Sequence, residues 1–138
     1  MGIDHGWSGG NLMIQGSCCC GAVKFVLNAK PKFLGICHCS RCRKLGTSEF
    51  FMVDKASFEW VEGKEFVEVY RAKPPFIYDR CFCSKCGSNL GEMLSDVESF
   101  PIAANTLDTD LGMEVTYQEH ASSRPVWQSL HPGAKVSQ

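Results

Sequence analysis

The sequence predicts a single, mainly β domain whose cysteines gather at strand ends and turns. Three observations carry this. The chain has 138 residues, the length of one domain that buries roughly two-thirds of the surface its unfolded form exposes. Apolar and polar residues alternate in short runs punctuated by Gly, Pro, Asn and Asp, and no stretch keeps a long helical period. Nine cysteines crowd into three clusters, GSCCCG (16–21), CHCSRC (37–42) and CFCSKCG (81–87).

In chain order, residues 1–12 are Gly-rich and read as a flexible leader before a domain over 13–128. The leader has neither the basic nor the apolar region of a signal peptide, so a cytoplasmic protein is expected. AVKFVLN (22–28) alternates as a strand does, and so do SEFFMV (48–53) and FEWV (58–61). FVEVYRA (66–72), FIYDRCF (76–82), FPIAANTL (100–107) and MEVTYQ (113–118) follow the same pattern. CSRCRKL (39–45) has room for one or two helical turns. ASSRPVWQSLHPGAKVSQ (121–138) is expected to fray except where Trp127 docks on the domain, with 129–138 as a tail beyond the domain. The aromatics Phe25, Phe33, Phe50, Phe51, Phe58, Trp60, Phe66 and Tyr70 lie within alternating runs and are expected to form core and cover.

Several functions are disfavoured. Net charge is −1 with both signs interspersed, so no basic stripe invites nucleic acid. No apolar run approaches the roughly 18 residues of a membrane span.

Without an export signal, cysteines two and three residues apart favour metal over disulfide, because such neighbours pair poorly and chelate well. Thiolate-rich sites select zinc or iron–sulfur, and no ferredoxin-type run is present, so zinc is expected. On a strand, residues i and i+2 share a face. Cys18 and Cys20 then point one way and Cys19 the other, where it is expected to be a small buried residue. Cys37 and Cys39 share a side, His38 faces away towards solvent or a turn, and a bend returns Cys42 beside Cys39. Cys83 and Cys86 form a knuckle closed by Gly87, while Cys81 shares the parity of Cys83 and can be a further ligand. Seven chelating thiols divide into four plus three. Spacing permits Cys39, Cys42, Cys83 and Cys86 as the four, leaving Cys18, Cys20 and Cys37. It also permits Cys18, Cys20, Cys83 and Cys86, leaving the local trio Cys37, Cys39 and Cys42, and this division is preferred.

The segments GSCCCGAVKF, CHCSRCRK and RCFCSKCGSNL, in this order, resemble the glutathione-dependent formaldehyde-activating enzyme family, whose domain also occurs in centromere protein V. NTLD and SRPVW are similar to its C-terminal pattern, so the resemblance runs from about Ile14 to Trp127. It implies an Mss4-like (β-tent) fold and two zincs per chain. One is structural, on Cys18, Cys20, Cys83 and Cys86; the other is catalytic, on Cys37, Cys39 and Cys42. It further implies carbon–sulfur lyase chemistry that reversibly joins glutathione and formaldehyde as S-hydroxymethylglutathione, hence a small-molecule thiol and an aldehyde as partners. The family carries a histidine in its C-terminal stretch. His120 lies there at a different distance from Trp127, so no role is transferred to it.

Three thiolates on Zn²⁺ sum to −1, which makes a poor hydroxide generator and a better host for a fourth, soft ligand. The fourth place is therefore expected to take water or a substrate thiol. Arg41, Arg43, Lys44 and Arg80 are the candidates to stabilise oxygen charge, to bind a substrate carboxylate or to offset the negative sites. The rival expectation is a zinc-stabilised binding module without catalysis.

Overall fold

The computed structural model describes residues 13–46 and 48–138; the expected leader lies outside the described residues. Eleven strands and one short α-helix are present among them, arranged as three sheets. In the first sheet, β1 (Ile14–Ser17) pairs antiparallel with β2 (Lys24–Leu27), and β2 with β5 (Phe58–Glu62). The second sheet centres on β3 (Phe33–Cys37). On one side β3 meets β4 (Glu49–Asp54), followed by β9 (Ser99–Ala103). On the other it runs parallel to β10 (Val115–Glu119), with β11 (Lys135–Val136) at the edge. The third sheet is a meander of β6 (Val67–Tyr70), β7 (Arg80–Cys83) and β8 (Asn89–Gly91). This is the mainly β architecture expected of a small Mss4-like domain.

The core joins the sheets through rings and branched side chains. Phe25 from β2 stacks on Phe58 from β5 at 5.1 Å, and Phe58 meets Phe100 from β9 edge-on at 5.8 Å. Leu27, Val53, Leu90 and Ile102 complete a fully buried set, each burial contributing roughly 1.5–3 kcal/mol. Gly16 faces Phe25 across β1 and β2, and a Cβ there would lie 2.2 Å from the ring. Only glycine lets Phe25 fold down onto β1.

Of the aromatics expected inside, Phe25 and Phe51 are buried, and Phe58, Trp60 and Phe66 pack partly buried against the core. Phe33 and Phe50 pair edge-on at 5.9 Å, whereas Tyr70 is exposed. The run 76–82 becomes a strand only from Arg80. Phe76, Ile77 and Tyr78 before it are exposed, with Arg41 stacked over Phe76 at 4.4 Å.

Two expectations for the C-terminal stretch are corrected. Trp127 does not dock and is 77% exposed. The tail does not fray: the buried Gln118 amide accepts from the His131 N–H at 2.8 Å and donates to its carbonyl at 2.9 Å. That two-way grip holds the returning chain where β11 can pair with β10.

Candidate metal centres

Cys18, Cys19 and Cys20 lie in the turn between β1 and β2 rather than on a strand. The Gly21 N–H donates to the Cys18 carbonyl at 3.0 Å, and the Val23 N–H donates to Cys18 Sγ at 3.3 Å. A second turn, one residue wider, follows β7. There the Gly87 N–H donates to the Cys83 carbonyl at 2.7 Å, and Gly87 takes the positive φ of 79° that such a tight reversal favours. These two turns bring the sulfurs of Cys18, Cys20, Cys83 and Cys86 within 4.8 Å of one another. Cys18 and Cys20 are 3.6 Å apart, and Cys20 and Cys83 are 3.9 Å apart. A tetrahedral ion with metal–sulfur bonds of about 2.3 Å spaces its sulfurs by roughly 3.8 Å, so the cage fits such an ion.

Ser88 ties the two turns together. Its hydroxyl accepts from the Cys19 N–H at 2.8 Å and lies 3.2 Å from Cys86 Sγ. Burial opposes ionisation of Cys86, yet hydrogen bonds from Ser88 win and bring its thiol down to about 6. Burial pushes the Cys83 thiol up to about 12. A metal ion would replace its proton. Cys19 itself is exposed, contrary to expectation, because strand alternation does not apply inside a turn. Cys81 belongs to neither cage; it is 3% exposed within the hydrophobic core, where burial raises its thiol.

The second cluster is local. Cys37 ends β3, Cys39 caps the N-terminus of α1 (Ser40–Lys44), and Cys42 lies within that helix. The Cys42 N–H donates to Cys39 Sγ at 3.4 Å, folding the trio so that its sulfurs lie within 4.8 Å of one another. His38, between them, does not reach solvent. It is 2% exposed, its N–H donates to the Glu119 carbonyl at 2.9 Å, and its Nε2 lies 3.1 Å from Gln118 Oε1.

Arg80 stands behind this trio. Its Nη2 donates to Cys42 Sγ at 3.3 Å and its Nη1 to Glu92 Oε2 at 3.3 Å. Both side chains of the ion pair are only 13% exposed, so solvent screens it weakly. Hydrogen bonds from Cys37 and then from Arg80 hold the Cys42 thiol at about 5. The Cys37 thiol moves the opposite way, through its bond to Cys42 and its burial, so of this pair Cys42 is the one to carry charge. Burial lifts the Glu92 carboxyl to about 7 against the pull of Arg80. Of the four basic residues considered in the sequence, Arg80 makes the hydrogen bond to a cysteine among the described residues. Arg41 is turned away, donating to the Tyr78 carbonyl at 3.3 Å.

Sequence reasoning missed Glu92 and Glu119 altogether and left His120 without a role. Glu119 is in register with Cys37 across the parallel β10–β3 pair, and a Glu119 oxygen, a His120 ring nitrogen and Cys37 Sγ lie within 4.8 Å of one another. No local spacing signals this, since it depends on which strand lies beside β3.

Comparison with known proteins agrees with the architecture. A crystal structure of a Rhodobacter sphaeroides protein, a structural genomics target, matches with a TM-score of 0.59 at 24% identity. The match covers 70% of this chain and 90% of that one, and shows the shared fold. The family model for the glutathione-dependent formaldehyde-activating enzyme matches residues 13–125, which span every strand up to β10 and both cysteine cages. The chain belongs to the glutathione-dependent formaldehyde-activating enzyme family.

Proposed function

We propose that the protein is a zinc-dependent carbon–sulfur lyase that reversibly forms an S-hydroxymethyl adduct of glutathione or a similar thiol. It would carry two zincs per chain: a structural ion on Cys18, Cys20, Cys83 and Cys86, and a catalytic ion on Cys37, Cys39 and Cys42. The observation that carries the reading is the unequal thiol count of two preformed cages in a chain of this family. A closed structural site uses four protein ligands, and a catalytic one keeps a place free. A reducing compartment such as the cytoplasm suits nine cysteines that form no disulfide.

Zinc, when bound, favours the deprotonated form of an incoming thiol and so supplies a nucleophilic sulfur near neutral pH. The chain does the rest. Cys37, Cys39 and Cys42 hold the ion on a rigid strand end and helix start. Arg80 offsets part of their negative charge through Cys42, and Glu92 fixes the guanidinium. When the sulfur adds to the aldehyde carbon, a C–S bond forms and the carbonyl π bond breaks. The oxygen then takes a proton from solvent to give the hydroxymethyl adduct, and the reverse sequence releases thiol and aldehyde. Holding sulfur and carbon together supplies the gain by proximity.

Titrating glutathione into cobalt-substituted protein tests this. A change in the visible d–d bands of one of two bound cobalts is expected; unchanged bands at saturating thiol would sink the proposal. A zinc-braced binding module is the second reading. It is favoured by one observation, the presence of Glu119 and His120 beside Cys37, which can saturate the trio from within the chain.

A further inference from the structure

We infer that His120 is a displaceable fourth ligand of the Cys37–Cys39–Cys42 centre, holding the thiol's place until a thiol arrives. The inference rests on the reading of that trio as a zinc site.

The strand register places His120 there. Glu119 lies opposite Cys37 in the parallel β10–β3 pair, and its carbonyl receives the His38 N–H at 2.9 Å. The chain therefore leaves the sheet level with the cluster. Had β10 continued extended, His120 would face away from Glu119 and Cys37. Instead its backbone turns into the left-handed region, with φ 54° and ψ 40°. Among the described residues it is the sole non-glycine with positive φ. Histidine enters that region more readily than most side chains. The reversal is fixed by the Ser123 N–H donating to the His120 carbonyl at 3.0 Å and by burial of Ala121. It brings the imidazole back to the Cys37 side, within 4.8 Å of Sγ and of a Glu119 oxygen.

Sulfur and imidazole nitrogen on one tetrahedral zinc lie roughly 3.6 Å apart. Within 4.8 Å His120 is grouped with Cys37 and Glu119 and not with Cys39 and Cys42, so the ring of this exposed residue must swing towards those two sulfurs to share their ion. The Glu119 carboxylate lies within 4.8 Å of the same ring nitrogen, close enough to orient the imidazole as carboxylates beside metal-bound histidines do. Displacement follows from three features. The residue is exposed, it lies just past the end of β10 and outside the segment that supplies the trio, and nitrogen suits a thiolate-rich zinc less well than a fourth sulfur. In the exchange the zinc–nitrogen bond breaks, a zinc–sulfur bond forms, and the thiol proton passes to solvent.

Zinc-edge X-ray absorption on the whole protein reads this directly. The test variant is His120→Gly, because glycine keeps the left-handed backbone. Imidazole scattering is expected in the resting protein, absent in the variant, and removed from the wild type by saturating glutathione. The variant should also surrender its second zinc to a chelator about tenfold faster or more. If resting protein shows no imidazole while glutathione still raises the sulfur count, His120 is not a ligand and the thiol-binding reading stands. If imidazole scattering survives in His120→Gly, another histidine is responsible and the inference is overturned. If imidazole persists at saturating glutathione, exchange is overturned together with the catalytic reading. A chain that binds a single zinc overturns both.

Discussion

The two cysteine cages share a ligand type and differ in what a metal would hold together. The first draws on turns at opposite parts of the fold, with Cys20 and Cys83 separated by 63 positions and Ser88 bridging the turns. A metal there closes a long loop and clamps the first sheet to the third. The second is built from one strand end and the helix that follows it, so a metal there closes almost no chain. The first cage has backbone and hydroxyl partners; the second has a half-buried cation behind Cys42 and an exposed histidine beside Cys37. Loop closure and surroundings therefore distinguish the two cages as much as their unequal count of sulfurs does.

The largest effect expected is on folding. Structural zinc contributes about 10–16 kcal/mol of apparent binding energy, comparable with or above the roughly 5–15 kcal/mol that stabilises a whole domain. Cys83→Ser should abolish the cooperative thermal transition seen by circular dichroism. Cys42→Ser should keep that transition and lose one metal ion by native mass spectrometry. Equal collapse of both variants would erase the distinction between the cages.

A smaller effect is expected from Arg80→Met, which removes the hydrogen bond and charge behind Cys42. Competition with a chromophoric chelator should show the second cage weakened by about 10–100-fold and the first unchanged. Weakening of both alike would mean that Arg80 supports the fold rather than the site.

Glu92 provides a pH signature. Its carboxyl is raised from 4.5 to about 7, so the folded protein binds that proton more tightly than the unfolded chain. The associated stability is fully present below 4.5 and is lost as pH rises through about 7. Glu92→Gln should flatten this part of the profile by on the order of 1 kcal/mol, read from urea midpoints. A profile that keeps its slope in the variant would assign the titration elsewhere.

The least effect belongs to the two cysteines outside the cages. Cys81→Ala, in the core, should cost about 1 kcal/mol, and Cys19→Ser, at the surface, less than about 0.5 kcal/mol. Both should retain the full metal content; loss of a metal in either would redraw the ligand sets.

Much of the strand content was readable because β4, β5, β6 and β10 alternate. β3 does not: FLGIC buries residues on both faces in the middle of a five-stranded sheet, so its periodicity disappears. β1 is four residues long and contains the Gly16 that Phe25 requires, which leaves no alternation to find. FIY (76–78) before β7 has strand-like composition but lies exposed beside Arg41. Cys19 and His38 were misplaced for related reasons. One sits in a turn where parity has no meaning, and the other is buried by Gln118, a partner 80 positions away.

By itself the sequence determined that the chain would be rich in short strands and that seven of its thiols could chelate, because alternation and chelate spacing are local properties. Only the tertiary structure decided which turns share a cage, that Arg80 and Glu92 stand behind Cys42, and that Glu119 and His120 face Cys37. Those outcomes depend on strand order and register, which join residues far apart in the chain and leave no trace in any short stretch of it.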